Sequence, residues 1–178
     1  TDLALRKVSL YALSEIGAPS SEAILAGAAQ KVGYGYDEAD ATAVYLKYLS
    51  RLAENGNAGA AEKAALALIK NTPDIKQSAT RSSALAIYSS IKKRESVPVL
   101  VSALQSSDAQ YRAAALKLGQ KYLMADGAAA WINALKKATP QVQSEIITML
   151  GRAESKDALP VVLRSLNSKD SKVKTAAI

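Results

Sequence analysis

The chain has 178 residues, of which 49% are hydrophobic, and it contains neither Cys nor His. Their absence excludes thiolate nucleophiles, imidazole bases, disulfides, and zinc, haem or iron–sulfur sites built on those ligands. The chain is long enough to form a hydrophobic core without disulfides or metal ions. No window approaches the roughly 20 apolar residues that a membrane span needs. We therefore expect no catalytic residue, no cofactor, no metal ligand and no membrane-spanning helix, and we expect this chain not to be an enzyme.

Positive charge is concentrated in the second half of the chain. Residues 1–89 contain nine basic and nine acidic side chains, whereas residues 90–178 contain fourteen basic and seven acidic ones. This asymmetry fits either an acidic partner for the second half or a set of solvated lysines. The absence of Cys favours a periplasmic or secreted location over the cytoplasm, although it is compatible with both.

The sequence pattern is helical throughout. Alanine and leucine recur three and four residues apart in every segment, and no stretch alternates apolar and polar residues as a strand does. We therefore expect no β-sheet. In chain order, the predicted pairs of helices occupy residues 1–36, 37–73, 74–107, 108–138 and 139–169, and residues 170–178 open a sixth pair.

The clearest amphipathic helix follows Asp108, a residue type that favours the N-cap position. Helical spacing predicts that its apolar face contains Ala114, Ala115, Leu118 and Tyr122.

Two prolines mark the starts of second helices. Pro98 and Pro160 stand just before apolar helical segments at similar places in two of the pairs. Proline is tolerated in a first helical turn, because the N–H that it lacks has no intrahelical partner there.

Residues that favour the N-cap position recur at nearly fixed intervals. They are Asp2, Asp40, Asp74, Asp108, Thr139 and Asp170. Their spacing of roughly 31 to 38 residues is typical of a solenoid. We predict an all-α, right-handed α-solenoid of about five antiparallel helical hairpins plus the start of a sixth. It forms a single domain over residues 1–178, and we expect it to be a fragment of a longer multidomain protein.

The repeat resembles a HEAT repeat of the short bacterial type. The resemblance rests on an Asp, an Arg four residues later, paired alanines and Leu-Gly, as in Asp108, Arg112, Ala114, Ala115, Leu118 and Gly119. It also rests on second helices such as "ALPVVLRSLNS". The first two units lack the full Asp-to-Arg spacing, and residues 74–91 have Tyr-Ser where the pattern has Leu-Gly. The resemblance implies that second helices line a concave surface.

Stacked hairpins bury their apolar faces on their neighbours. We predict a core of Leu13, Ile16, Leu25, Leu49, Leu66, Ile69, Leu85, Leu100, Leu104, Leu118, Leu135, Ile146, Leu150, Leu163 and Leu166. By the resemblance, the polar residues of the concave surface are Lys63, Lys70, Gln105, Asn133, Lys136, Lys137 and Arg164.

Three aromatic residues are candidates for binding a partner. Trp131 fits either an exposed recognition anchor or a large core filler among alanines. In the least regular stretch, "KVGYGYDEAD", Tyr34 lies between two glycines and Tyr36 follows the second of them. They fit either stacking on a ligand or covering the core at a crossing between hairpins.

Basic residues at the turns are the remaining candidates. Lys92, Lys93 and Arg94 form one cluster and Lys136 with Lys137 another, and a lysine group at Lys169, Lys172 and Lys174 follows. Aligned along one ridge, they could bind phosphates or an acidic protein. No aromatic residues are interleaved with them, so a nucleic-acid partner is not favoured.

Three functions remain open. The first is a non-catalytic scaffold that binds a protein partner or other domains of the same polypeptide. The second is an accessory region of a larger exported bacterial enzyme, such as a carbohydrate-active hydrolase. The third is nucleic-acid binding through the basic second half. The sequence does not predict an oligomeric state.

Overall fold

The structure is a computed structural model that describes residues 2–123 and 127–178. The all-α prediction is confirmed, since this part of the chain contains helices and turns and no strand. The helices are α1 (Leu3–Ile16), α2 (Glu22–Lys31), α3 (Ala41–Glu54), α4 (Ala58–Asn71), α5 (Ser78–Lys92), α6 (Val97–Ala103), α7 (Ala109–Tyr122), α8 (Ala128–Leu135), α9 (Pro140–Arg152), α10 (Leu159–Ser165) and α11 (Ser171–Ala176).

The chain forms two compact units, residues 1–92 and residues 93–178. The N-terminal unit contains α1 to α5, and the C-terminal unit contains α6 to α11. The boundary falls inside the predicted pair 74–107. The prediction of one domain, the number of repeats and the handedness stay predictions.

N-capping residues start the helices at most of the predicted places. The Asp108 carboxylate accepts hydrogen bonds from the backbone N–H of Gln110 and Tyr111, and Asp170 caps α11 in the same way. The Thr139 hydroxyl caps α9. Each of these side chains satisfies a donor of the first turn that has no partner within the helix. Pro98 and Pro160 lie in the first turns of α6 and α10, as predicted.

Asp40 is an exception among the predicted N-caps. Its backbone is left-handed, with φ of 56°, and its side chain makes no capping hydrogen bond. Asp37 caps α3 instead, because its carboxylate accepts from the N–H of Ala39 and Ala41 at 3.1 and 2.7 Å. The Asp40 carboxylate lies 2.6 Å from Lys7 Nζ. The prediction failed because the side chain that caps the helix stands earlier in the loop.

The core of the N-terminal unit is rich in alanine and tyrosine. Its α3 packs against α1, α2, α4 and α5, and α3 contributes Tyr45, Tyr48 and Leu49 to the buried cluster. The Tyr48 hydroxyl donates to the Ala18 carbonyl at 3.1 Å. Burial raises the pKa of Tyr45 to about 12. Rings of this size fill the space that small alanines leave between helices.

The core of the C-terminal unit is built around α7 and α9. Successive first helices pack on one another in the order α7, α9, α11, and the second helix α6 packs on α8. The buried residues of α7 are Tyr111, Arg112, Ala115, Leu116 and Gly119. The predicted buried face of α7 is therefore rotated about the helix axis from the observed one, since Ala114, Leu118 and Tyr122 are only partly buried. A buried arginine and a buried glycine carry no apolar signal in a sequence pattern.

Most of the predicted core residues are buried, and four are exposed. Ile16 is 62% exposed and Leu66 36%. Each stands two positions, or about 200° around the helix, from a buried residue of its own helix, Ser14 and Leu68 respectively. Their side chains therefore point away from the core.

The other two exposed residues of the predicted core lie on and just after α10. Leu163 is 53% exposed and Leu166 36%. The α10 helix has no buried residue. These leucines have helical spacing, but their side chains are open to solvent.

Candidate interaction surfaces

Helices α1 and α2 form an open groove of about 640 Å³, here called the α1–α2 groove. It is lined by Leu3, Arg6, Leu10, Ala23, Ile24, Gly27, Ala28 and Lys31. Leu3 and Ile24 are 45% and 57% exposed. Exposed large apolar side chains around a concave surface are typical of a site for another molecule.

The two cations of the α1–α2 groove differ from the other cations of α1 and α3. Within the described residues, neither Arg6 nor Lys31 forms an ion pair. Lys7, on another side of α1, pairs with Asp40, and the hydrogen bond that Lys7 donates to this carboxylate raises the pKa of Lys7. The groove therefore presents positive charge without a neutralising partner.

Another side of α1 is covered by α3 and shows how this hairpin is neutralised elsewhere. Glu15 of α1 pairs with Lys47 and, at 3.4 Å, with Arg51 of α3. Hydrogen bonds from Lys47 and then Tyr11 lower the pKa of Glu15. Lys47 Nζ also lies 4.4 Å above the centroid of the Tyr11 ring. On this side of α1, Lys7 and Glu15 therefore each have a partner of opposite charge.

A second open apolar surface lies on α10 in the C-terminal unit. Leu159, Leu163 and Leu166 have the spacing i, i+4, i+7 and are all exposed, and we call them the α10 stripe. Arg164 lies beside the stripe and is exposed.

The predicted basic clusters lie at different turns. Lys93 and Arg94 are exposed in the short 3₁₀ turn before α6, whereas Lys136 and Lys137 are exposed directly after α8. The alignment of these clusters along one ridge stays a prediction.

Lys92 is the last residue of α5 and belongs to the N-terminal unit. Its Nζ lies 3.7 Å from Glu62 Oε1. At this distance the ion pair neutralises part of its charge, so Lys92 is less suited to bind an anion than an unpaired surface lysine.

Trp131 lies in the core and is not an exposed anchor. Its side chain is 0% exposed, and a Cβ built at Gly119 would lie 2.4 Å from Trp131 Cζ2. Gly119 therefore lies inside α7 because the indole ring occupies the space that any side chain would need. The core-filler interpretation of Trp131 is correct.

In the loop between α2 and α3, Tyr34 and Tyr36 lie in different environments. Tyr34 packs against the buried cluster, and its carbonyl accepts a hydrogen bond from the Thr80 hydroxyl at 2.8 Å. Gln77 Nε2 likewise donates to the Gly33 carbonyl at 2.7 Å. Tyr36 is 90% exposed. Tyr34 is therefore a structural residue, and Tyr36 is the one that a ligand can reach.

A partly buried ion pair joins α7 to α9. Arg112 donates bidentately to Glu145 through Nε and Nη2, both at 2.9 Å, and its Nη1 donates to the carbonyls of Ser106 and Ser107. These bonds raise the pKa of Arg112 and lower the pKa of Glu145. Because its donors are occupied by the protein itself, Arg112 connects repeats and is not a site for a ligand.

The predicted polar residues of the concave surface are all solvent-exposed. They are Lys63, Lys70, Gln105, Asn133, Lys136, Lys137 and Arg164. Their exposure makes them accessible to a partner, and the concave shape itself stays a prediction.

The part of the chain that the structure describes contains neither a candidate metal site nor a candidate membrane-spanning helix. Among the described residues, no group of three or more His, Cys, Asp or Glu side chains is placed to hold a metal ion. None of the helices has the length and apolar character to cross a bilayer.

Comparison with protein families places HEAT repeats in the C-terminal part of the chain. Residues 128–178, from α8 to α11, match a family model described as HEAT repeats. The HEAT-repeat resemblance predicted from the sequence is thus confirmed. Comparison with curated proteins gave no match, and neither did comparison with solved structures.

The α1–α2 groove was not predicted from the sequence. Its two cations come from different helices, and the exposed apolar residues Leu5 and Val8 of α1 do not line it. The sequence pattern of α1 therefore gave no signal for the groove.

Proposed function

We propose that this chain is a non-catalytic scaffold, a right-handed α-solenoid of five HEAT-like hairpins and the start of a sixth. It binds a protein partner or docks against other domains of its own polypeptide. The observation that carries the proposal is the exposed apolar surface of α1 and α2, which the N-terminal unit leaves uncovered. HEAT repeats commonly mediate protein interaction, and residues 128–178 match that family.

Two features support binding to protein rather than to a small molecule. The exposed apolar residues lie along helices, on α1 with α2 and on α10, and not around a deep enclosed cavity. The cations nearest to them are few and separated, as at the polar rim of a protein interface. Small-molecule sites are instead concave and bury most of the ligand.

The test is capture followed by reconstitution. The immobilised chain is incubated with extract of its source organism, with and without nuclease treatment, and the retained proteins are identified, purified and titrated against the chain. We expect saturable binding of at least one purified protein. If nuclease treatment removes every retained species, and DNA alone binds, the basic second half binds nucleic acid and the scaffold proposal is wrong.

The hypothesis of an accessory region in an exported enzyme stays a prediction. It needs a polypeptide in which this chain is joined to a catalytic domain, and sequencing the whole reading frame tests that directly.

A further inference from the structure

We infer that the α1–α2 groove docks an amphipathic α-helix of a partner protein, and that this helix carries carboxylates at one end of its apolar stripe. The inference rests on the proposed interaction function and adds the surface and the chemistry of the partner. It is argued from the shape of the groove, from the position of its two cations, and from the way the same hairpin is neutralised where α3 covers it.

The shape of the groove fits about two turns of a helix. From Leu3 to Leu10 the wall formed by α1 extends about 10 Å at 1.5 Å per residue. The wall formed by α2 is low, because Ala23 and Gly27 lie one turn apart along it, and a Cβ at Gly27 would meet nothing within 4 Å. Small residues allow the backbone of a second helix to approach closely. The exposed side chains of Leu3 and Ile24 then contact its apolar stripe.

The two cations lie in the same half of the groove. Residues 17–21 form a short connection, so α1 and α2 are antiparallel, and the start of α1 lies beside the end of α2. Arg6 lies between Leu3 and Leu10 and is nearer to Leu3, and Lys31 is the last residue of α2. The opposite end, around Leu10 and Ala23, is apolar. An occupant that matches this pattern has apolar residues along its length and carboxylates near one end only.

The covered side of α1 shows that the hairpin is packed with opposite charges facing each other. Where α3 lies over α1, each of three charged contacts has its counter-charge: Lys7 with Asp40, and Glu15 with both Lys47 and Arg51. Covering the groove with a neutral or basic helix would desolvate Arg6 and Lys31 without compensation, which is unfavourable. Carboxylates on the covering helix avoid that cost. Charge complementarity therefore selects an acidic partner over a basic one.

The experiment uses a phage-displayed library of 18-residue helical peptides selected on the full chain. We expect the enriched peptides to have apolar residues at i, i+3 or i+4, and i+7, and to have Asp or Glu at one end of that stripe. A charge-reversed variant, Arg6→Glu with Lys31→Glu, should bind these peptides about tenfold more weakly. The same variant should select peptides with Lys or Arg at those positions. Equal binding of acidic peptides to both proteins would overturn the inference.

A matched control and a blocking variant exclude effects of net charge and of unfolding. Lys76→Glu with Lys117→Glu makes the same change in net charge at exposed positions outside the groove, and it should leave peptide affinity within about twofold. Gly27→Leu adds a side chain in open space, so the chain should fold, and the groove is then filled. Loss of binding in Gly27→Leu supports the inference, and retention contradicts it.

Self-association is the alternative occupant, and sedimentation velocity tests it. A concentration-dependent dimer that dissociates in the Arg6→Glu, Lys31→Glu variant would show that a second copy fills the groove, and it would overturn the assignment to a partner protein. The proposed scaffold function is tested separately. If a purified partner binds the charge-reversed variant as tightly as the natural chain, the scaffold role stands, but the groove is not its binding surface.

Discussion

The N-terminal and C-terminal units join their successive first helices by different means. In the N-terminal unit, α1 and α3 are connected by ion pairs at the surface, such as Glu15 with Lys47. In the C-terminal unit, α7 and α9 are connected by the partly buried bidentate pair of Arg112 and Glu145. Isolated surface pairs contribute little to stability, whereas the bidentate hydrogen bonds of an arginine to a carboxylate add geometric specificity.

The difference in these connections parallels the regularity of the repeats. In the C-terminal unit, Asp108, Thr139 and Asp170 follow one another at equal intervals, whereas the intervals from Asp2 through Asp40 to Asp74 are longer and unequal. The HEAT-repeat match also lies within the C-terminal unit. The predictions below test this contrast, from the largest expected effect to the smallest.

Replacing the buried indole should have the largest effect on stability. Trp131→Ala removes a side chain that is 0% exposed, and we expect a loss of about 3–5 kcal/mol in the free energy of unfolding. Urea denaturation followed by circular dichroism measures it. The control, Tyr36→Ala, changes a side chain that is 90% exposed and should stay within about 0.5 kcal/mol. A small effect of Trp131→Ala would show that the C-terminal unit is not packed around this ring.

Breaking the ion pair of Arg112 and Glu145 should cost about 1.5–3 kcal/mol at neutral pH, the usual contribution of hydrogen bonds to charged groups. Glu145→Gln leaves Arg112 in place without a charged acceptor. The measurement is the difference in unfolding free energy between the natural chain and Glu145→Gln, with exposed Glu38→Gln as the control.

The same pair predicts a dependence on pH. Arg112 lowers the pKa of Glu145 below its ordinary value of 4.5 in the folded state. The stabilisation is therefore complete above about pH 4.5 and is lost as the pH falls through the lowered pKa. The difference between the natural chain and Glu145→Gln should be constant from about pH 5.5 to 7.5 and narrow at lower pH. A difference that grows on acidification would contradict this account.

Two glycines should respond oppositely to the same substitution. Gly119→Ala forces a Cβ against the Trp131 ring, and the packing cost of about 1–3 kcal/mol exceeds the gain in helix propensity. Gly27→Ala meets nothing within 4 Å and should stabilise by about 0.5–1 kcal/mol. Thermal denaturation compares them. Equal effects would mean that the α7–α8 contact is not as tight as the structure has it.

N-cap substitutions should have the smallest effects and separate two aspartates that look alike in the sequence. Asp108→Ala removes two capping hydrogen bonds and should cost about 1 kcal/mol. Asp40→Gly removes a surface ion pair but suits a φ of 56°, so it should stay within about 0.5 kcal/mol. Chemical denaturation of both variants measures the two losses in unfolding free energy. A larger loss for Asp40→Gly would contradict the assignment of the α3 cap to Asp37.

The order of the helices could be predicted from the sequence because N-cap chemistry and helical periodicity are local. Every predicted pair boundary falls between observed helices, and Pro98 and Pro160 start α6 and α10. The buried faces were less predictable. Ile16 and Leu66 are apolar and helical in position, but they point away from the neighbour that fills the core. Only the packing of helices decides which side of an apolar helix is covered.

The candidate site could not be predicted for a related reason. Arg6 and Lys31 lie far apart in the sequence and on different helices, and nothing local shows that one end of a groove holds both. The same applies to Trp131, whose burial depends on the missing side chain of Gly119. Charge content predicted the basic second half of the chain, but the cations that carry the docking proposal lie in the first half, where net charge is zero.

Hydrogen exchange tests the central claim most directly. Amide exchange of the full chain is measured by mass spectrometry, free and saturated with an acidic helical peptide selected on it. The docking account predicts slower exchange in α1 and α2, unchanged exchange in α6, α8 and α10, and no change when the Gly27→Leu variant is used. Protection centred on the second helices α6 and α8, with none in α1 and α2, would contradict it.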